Sequence, residues 1–241
     1  MKIARFPSWV MANAVLVALG FLASVCASSL QGQTGDSTDG VTVKNQKVYH
    51  VQGDQLTELA ENLKYSHDIE VSTNGTFKVG DGKERNIGEG QILRSDGWLL
   101  NPDGSFWPAF DYVAQKAGKV VVVRDGEARP LVDAMTFPSG LSITPDGWCT
   151  FPDNRRSRML DGQMFQLDGT PIQGRDTVTF RNGQVVVQKD GALITLSPPK
   201  TMGLNDGSRV QSDGTIVQQD GSKTQLHDGQ TVIVPGVNAS N

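Results

Sequence analysis

An all-β fold of three tandem modules, each a meander of short antiparallel strands, is what this sequence predicts. Three observations carry the prediction. Two-residue turn signals recur along the body every seven or eight residues. The runs between them are short and favour strands, as in Val185-Val186-Val187 and Thr215-Ile216-Val217. The set of turns also repeats three times, which marks a modular architecture.

The first set is Asn74-Gly75, Asp81-Gly82, Glu89-Gly90 and Asp96-Gly97. It recurs as Asp146-Gly147, Asp153-Asn154, Asp161-Gly162 and Asp168-Gly169, and again as Asp213-Gly214, Asp220-Gly221, Asp228-Gly229 and Pro235-Gly236. The offset is 72 residues between the first two sets and 67 between the last two. Upstream, Asn45-Gln46, Ala117-Gly118 and Asn182-Gly183 correspond, with an offset of 65 in the second step, so two residues are inserted near Pro198-Pro199. Asn-Gly and Asp-Gly pairs supply the positive φ of a type I′ two-residue hairpin turn, and helices have no room between breakers this close.

In chain order, Lys2 and Arg5 precede a charge-free apolar run ending in Val25-Cys26-Ala27, the pattern of a cleaved signal peptide over residues 1–27. An uncleaved anchor and a lipoprotein acylated at Cys26 are the alternatives. Residues 28–44 open on a Gly/Ser/Thr-rich stretch and read as a flexible linker. Modules follow at 45–98, 117–170 and 182–236. The connector 99–116 holds Phe106, Trp107, Phe110 and Tyr112, and Pro108 followed later by Gly118 predicts a short helix at 108–117. A second connector spans 171–181, and 237–241 is a tail carrying the glycosylation pattern Asn238-Ala239-Ser240.

The modules share apolar positions. Val71, Ile143 and Val210 correspond, as do Phe77, Cys149 and Ile216, Ile87, Met159 and Leu226, and Leu59, Leu131 and Leu196. Gln91, Gln163 and Gln230 each follow the third turn of their set. Single strands this short need partners, so the modules are expected to stack into one continuous, elongated body, and the period, which fixes hairpins and not their closure, leaves an open stack, a closed barrel and propeller-like blades as alternatives. Cys149, alone once the leader is gone, is expected to fill the core.

The segment VYHVQGDQLTEL at Val48–Leu59 and the closing TQLHDGQTVIV at Thr224–Val234 resemble a secreted bacterial family of domains of unknown function. Its members have a strand-like opening, Asp-Gly turns and a terminal element of this kind. The second module departs from that pattern at Pro145, Trp148 and Cys149. The resemblance implies secretion and no particular activity.

Charge excludes some functions. Of the 241 residues 22 are Lys or Arg and 26 are Asp or Glu, and loss of Lys2 and Arg5 leaves the balance more acidic, against nucleic-acid binding. No nucleophile elbow, zinc-helix motif or phosphate loop occurs. His50, His67 and His227 are dispersed, and the seven-to-eight-residue turn step does not fit nine-residue calcium repeats. No cofactor, metal or catalytic residue is expected. The turn residues Asp81, Gly82, Asp146, Gly147, Asp161, Gly162, Asp213, Gly214, Asp220, Gly221, Asp228 and Gly229 are assigned structural roles. Trp98, Trp107 and Trp148 are the candidate binding residues, weighed against a role as plugs between modules. The expectation is an exported, non-enzymatic scaffold, periplasmic or at the cell surface, with no transmembrane span after leader cleavage. Its partner would be a protein or glycan of the envelope, and the alternative is a carbohydrate-binding module.

Overall fold

The computed structural model describes residues 39–53 and 55–237. The leader, its cleavage site, Cys26, the linker up to residue 38 and the Asn238 pattern lie outside the described residues. The described chain is all β. In the first module, β1 (Asp39–Lys44), β2 (Lys47–Gln52) and β3 (Gln55–Glu58) form an antiparallel meander. A second sheet holds β4 (Leu63–Tyr65), β5 (Ile69–Val71), β6 (Thr76–Val79) and β7 (Arg85–Asn86). Strand β8 (Ile92–Arg94) then returns to pair with β1, and β9 (Trp98–Leu100) and β10 (Phe106–Pro108) extend that sheet.

The second module repeats the plan. It has β11 (Tyr112–Lys116), β12 (Lys119–Arg124) and β13 (Glu127–Pro130), then the sheet of β14 (Met135–Thr136), β15 (Ser142–Ile143), β16 (Trp148–Thr150) and β17 (Arg156–Arg158). Its return strand is β18 (Met164–Gln166), followed by β19 (Pro171–Ile172). The third module has β20 (Arg175–Arg181), β21 (Gln184–Lys189) and β22 (Ala192–Leu196). Its second sheet holds β23 (Thr201–Gly203), β24 (Arg209–Gln211), β25 (Thr215–Val217) and β26 (Lys223–Gln225), and β27 (Thr231–Pro235) returns to β20.

Each module therefore starts one strand upstream of its first turn. Asp39–Lys44, within the stretch read as linker, is β1, and Arg175–Arg181, within the stretch read as connector, is β20. The helix expected at 108–117 is absent; Pro108 closes β10 and Tyr112–Lys116 is β11. Both faces of β11 are buried. Val113 points into the core of its own module, while Tyr112 and Ala114 join an aromatic cluster between modules. A strand buried on both sides shows no alternation of polar and apolar residues, so its sequence does not separate it from a helix.

Each module has its own core between its two sheets. In the second, Val113, Val120, Ile143, Cys149, Met159 and Phe165 pack together. The corresponding residues of the third, Val178, Val185, Val210, Ile216 and Leu226, do the same. Burial pushes the Cys149 thiol up to about 11. The thiolate is the reactive form, so Cys149 is expected to resist a disulfide reagent at pH 8 in the folded chain and to react fully in guanidinium. Rapid labelling of the native protein would contradict this packing.

The turns fall into three classes instead of one. Positive φ at both central residues, the type I′ signature, occurs at 45–46, 117–118, 182–183, 125–126 and 190–191. At Asp146-Gly147, Asp168-Gly169, Asp213-Gly214 and Asp220-Gly221 only the glycine has positive φ, and its N–H donates to the carbonyl three residues back. These are three-residue loops, a type I turn closed by a left-handed glycine. At Asp168, Asp213 and Asp220 the carboxylate accepts the N–H two residues on, a bond that favours the αR–αL step over a tight I′ turn. Asp161-Gly162 and Asp228-Gly229 are the centres of turns closed by Gln163 N–H to Leu160 O and Gln230 N–H to His227 O, with glycine third. That is a type II arrangement. Asp81-Gly82 and Pro235-Gly236 are exceptions: Gly80 takes the positive φ in place of Gly82, and Pro235 is the last residue of β27, with Gly236 outside the positive-φ region and no turn there.

The modules also make more contacts than a stack of sequential neighbours would. The first meets the second where Asp125 Oδ1 accepts the Lys83 N–H at 2.9 Å. The second meets the third where Gly162 lies against the backbone of Asp190. The first meets the third as well: Gln188 accepts the Phe106 N–H at 2.6 Å and donates to its carbonyl at 2.8 Å. The closure that the turn period leaves open is thus a mutual packing, with each module in contact with the other two.

Candidate functional site

The repeated polar residues are consumed by the fold. In each module the triplet Glu89-Gly90-Gln91, Asp161-Gly162-Gln163 or Asp228-Gly229-Gln230 makes the same three bonds. The acid accepts the N–H of the opening hairpin turn, at Asn45 (2.8 Å), Gly118 (2.8 Å) and Asn182 (2.5 Å). The glycine N–H donates to the carbonyl of Val43, Gln115 or Phe180 on the first strand. The glutamine Oε1 accepts the N–H of Gly88, Leu160 or His227. One tripeptide thereby staples the return of the chain to the hairpin that began the module.

Unlike residues of all three modules converge in a groove of about 570 Å³. The β9–β10 arm supplies Asp103, Ser105 and Trp107, the second module Lys116 and Asp161, and the third Asp190 and Leu193. The arm is anchored across the seam by Thr177 Oγ1 donating to Gly104 O at 2.5 Å and Arg181 donating to Pro102 O at 2.6 Å. Trp107 is half-buried, the Lys116 ammonium lies 4.7 Å from its ring centre, and Gly191 is packed against its far edge.

The three tryptophans do not form one platform. Trp98 is 4% exposed, stacked on Phe106 at 4.9 Å with the Arg175 guanidinium 5.0 Å from its ring centre. It is a seam plug in the cluster of Phe106, Phe110, Tyr112 and Met164, so no ligand can stack on it. Trp148 is 37% exposed on β16, with Arg156 over its ring at 5.0 Å. Only Trp107 lines the groove. The histidines stay apart: His50 pairs with Asp39 at 2.8 Å, His67 stacks on Phe110 at 3.8 Å and His227 is exposed. Among the described residues no three His, Cys, Asp or Glu side chains are grouped as ligands for a metal ion.

Sequence reasoning missed the polar groups that seat the groove. Asp176 is 2% exposed; its Oδ1 accepts the Asp190 N–H at 3.0 Å and its Oδ2 accepts from Asn205 Nδ2 at 2.8 Å. Asp111 does the corresponding job for Asp125 at 2.9 Å, and the shared 65-residue offset is the signal that could have found the pair. Burial pushes Asp176 up to about 6; the neighbouring Asp190 charge adds to this, and the Asp190 N–H, Lys189 and Asn205 oppose it. A raised carboxyl binds its proton more tightly when folded, so its contribution is complete below the ordinary carboxylate range and is lost as pH rises through about 6. The stability difference between the natural chain and Asp176→Asn should therefore fall between pH 4 and 6, by on the order of 2–3 kcal/mol. Urea unfolding at several pH values measures it, and a difference that is flat or rises would contradict the assignment.

The strand pairing gives three units running β1–β10, β11–β19 and β20–β27, and a family of domains of unknown function, DUF6799, matches residues 38–99, 110–170 and 175–237. The chain belongs to the DUF6799 family. Each match begins at or before the first strand of a unit, so a DUF6799 unit is the hairpin sheet, the four-stranded meander and the return strand together. No curated protein and no solved structure matches the chain. The family has no assigned activity. Among the described residues no helix is long and apolar enough to cross a membrane.

Proposed function

We propose that the chain is an exported, non-catalytic scaffold whose three DUF6799 modules hold one composite face toward a protein of the cell envelope. The observation that carries this reading is the use of the repeated polar groups. The acid and glutamine of every staple, and Asp168, Asp213 and Asp220 in their turns, bond to backbone and build shape. Unlike groups from all three repeats meet in the groove at the module junction. Enzymes concentrate unlike groups around a reacting atom, whereas repeats extend binding surface. Export follows from the basic and apolar pattern of residues 1–27.

Export is tested by N-terminal sequencing of the protein released from cells, which should begin near Ser28. An intact Met1 or an acylated Cys26 would replace a free exported chain by an anchored one. The scaffold role is tested on a broad panel of hydrolase substrates, where no turnover is expected and any turnover overturns it. One observation favours the glycan-binding reading: Trp107 is the half-exposed aromatic of a groove that also holds carboxylates. Soluble glycans should leave the intrinsic fluorescence unchanged if the scaffold reading holds. A shift that disappears in Trp107→Ala would establish the sugar binder instead.

A further inference from the structure

We propose that strand β22 accepts an extended polypeptide of alternating apolar and basic residues as an added strand on its sheet. The proposal rests on the scaffold reading and names the chemistry of its partner.

The sheet order β22-β21-β20-β27 leaves β22 at an edge. Its hairpin with β21 closes through the two-residue turn Asp190-Gly191, with φ of 49° and 80°. In such a hairpin the pair flanking the turn is hydrogen-bonded and the bonding alternates outward. Lys189 faces Ala192 and Val187 faces Ile194, so those pairs carry the ladder. The N–H and C=O groups of Leu193 and Thr195 then point to the open edge. Leu193 is 46% exposed and Ile194 37%, and Ala192–Leu196 carries no charge and no proline.

The corresponding edges are blunted. The same alternation in β13 turns Ala128 and Pro130 outward; proline has no N–H to offer, and Glu127 and Arg129 flank it. In β3 the outward residues are Leu56 and Glu58, and Glu58 is paired to Lys47 at 3.2 Å. Charge and proline are the usual guards of an exposed edge. Of the three equivalent strands, only β22 has neither.

A second, independent observation fixes the charge of the occupant. Leu193 is also a wall of the junction groove, alongside Trp107. Asp103, Asp161 and Asp190 line that groove with Lys116 as the one cation among its lining residues, and Lys189 reaches Asp190 at 3.7 Å, so carboxylates outnumber cations there. An added strand lies about 4.8 Å from β22 and sends successive side chains to opposite faces, so apolar residues can cover the exposed Ile194 on one face while lysine or arginine stems cross Leu193 and Trp107 on the other and bring their charges to the carboxylates. Main-chain bonds would supply affinity and the groove selectivity.

The probe is a capped heptapeptide of alternating valine and lysine, with its valine–glutamate counterpart as control, titrated into the exported chain at low salt. The expected result is saturable binding of the lysine peptide, at least ten-fold tighter than the glutamate peptide and weakened by salt. Thr195→Pro removes one outward N–H without touching the ladder, and should weaken binding at least ten-fold while the melting temperature stays within a few degrees. Asp103→Asn should weaken only the lysine peptide. Absence of binding, or binding unaffected by Thr195→Pro, overturns the proposal. So does a chain that is dimeric in solution and made monomeric by Thr195→Pro, because β22 is then occupied by a second copy. These failures leave the scaffold reading standing; turnover or a Trp107-dependent glycan response overturns that reading instead.

Discussion

Gly162→Ala should be among the most damaging single-methyl changes in this chain, while Gly221→Ala should be mild, although both glycines sit at φ of 85°. The left-handed conformation costs alanine about 1–2 kcal/mol at either position. At Gly221 a new Cβ meets nothing within 4 Å, so that is the whole cost. At Gly162 the Cβ would lie 2.7 Å from Asp190 Cα and 2.9 Å from its carbonyl carbon. Backbone cannot rotate aside as a side-chain tip can, so the second and third modules must separate at that point, adding about 1–3 kcal/mol. With about 2–4 °C per kcal/mol for a domain of this size, Gly162→Ala should lower the melting temperature by roughly 4–20 °C and Gly221→Ala by roughly 2–8 °C. Calorimetry of the pair decides it. Equal losses would mean that the seam at Gly162 is not load-carrying and that only turn conformation matters.

Gln188→Leu should be comparably costly. The Gln188 amide replaces a neighbouring strand for Phe106, taking its N–H and giving to its C=O inside a buried junction. Leucine fills similar volume but leaves both backbone groups without that partner, at about 1–3 kcal/mol each. The loss expected in urea unfolding is therefore about 2–6 kcal/mol. Gln188→Glu adds a diagnostic. A protonated carboxyl can both accept and donate as the amide does, whereas the carboxylate can only accept. Its folded-state pKa must then lie above the unfolded value, so the variant should be most stable below about pH 4 and lose that stability as pH rises. A loss under 1 kcal/mol for Gln188→Leu would show that the first and third modules are not held by this bond pair.

Both predictions concern contacts that no single repeat contains. The 72- and 67-residue offsets and the apolar positions are local or periodic properties, and they were legible without a structure. Val71, Ile143 and Val210 are indeed buried, as are Phe77, Cys149 and Ile216. The turn classes were only half legible. Asp-Gly announces a turn but not its class: Asp125 and Asp190 take positive φ with their N–H groups bonded to Asp111 and Asp176, whereas Asp213 does not and its carboxylate accepts the N–H two residues on.

The candidate site was legible only as a residue type. Trp98 and Trp107 look alike in sequence, each in or beside an Asp-Gly-rich segment, yet one is a buried plug under Arg175 and the other lines a groove. Which face of a strand meets another module depends on residues tens of positions away. Gln188 has no polar counterpart in the other modules, where Val51 and Val123 hold its place, so the repeat itself concealed it.

The sequence by itself determined the fold class, the number of modules, most of the turn positions and the core of each module, because turns and alternating burial are encoded within a few residues. Only the tertiary structure decided where each module begins, that all three modules touch, and which tryptophan, edge and carboxylates share a groove. The opening strand of a module is held by a return strand about fifty residues later, and the junction by pairs such as Phe106 and Gln188, 82 residues apart. Such pairings are chosen by the summed burial and hydrogen bonding of the whole chain, and no local pattern carries them.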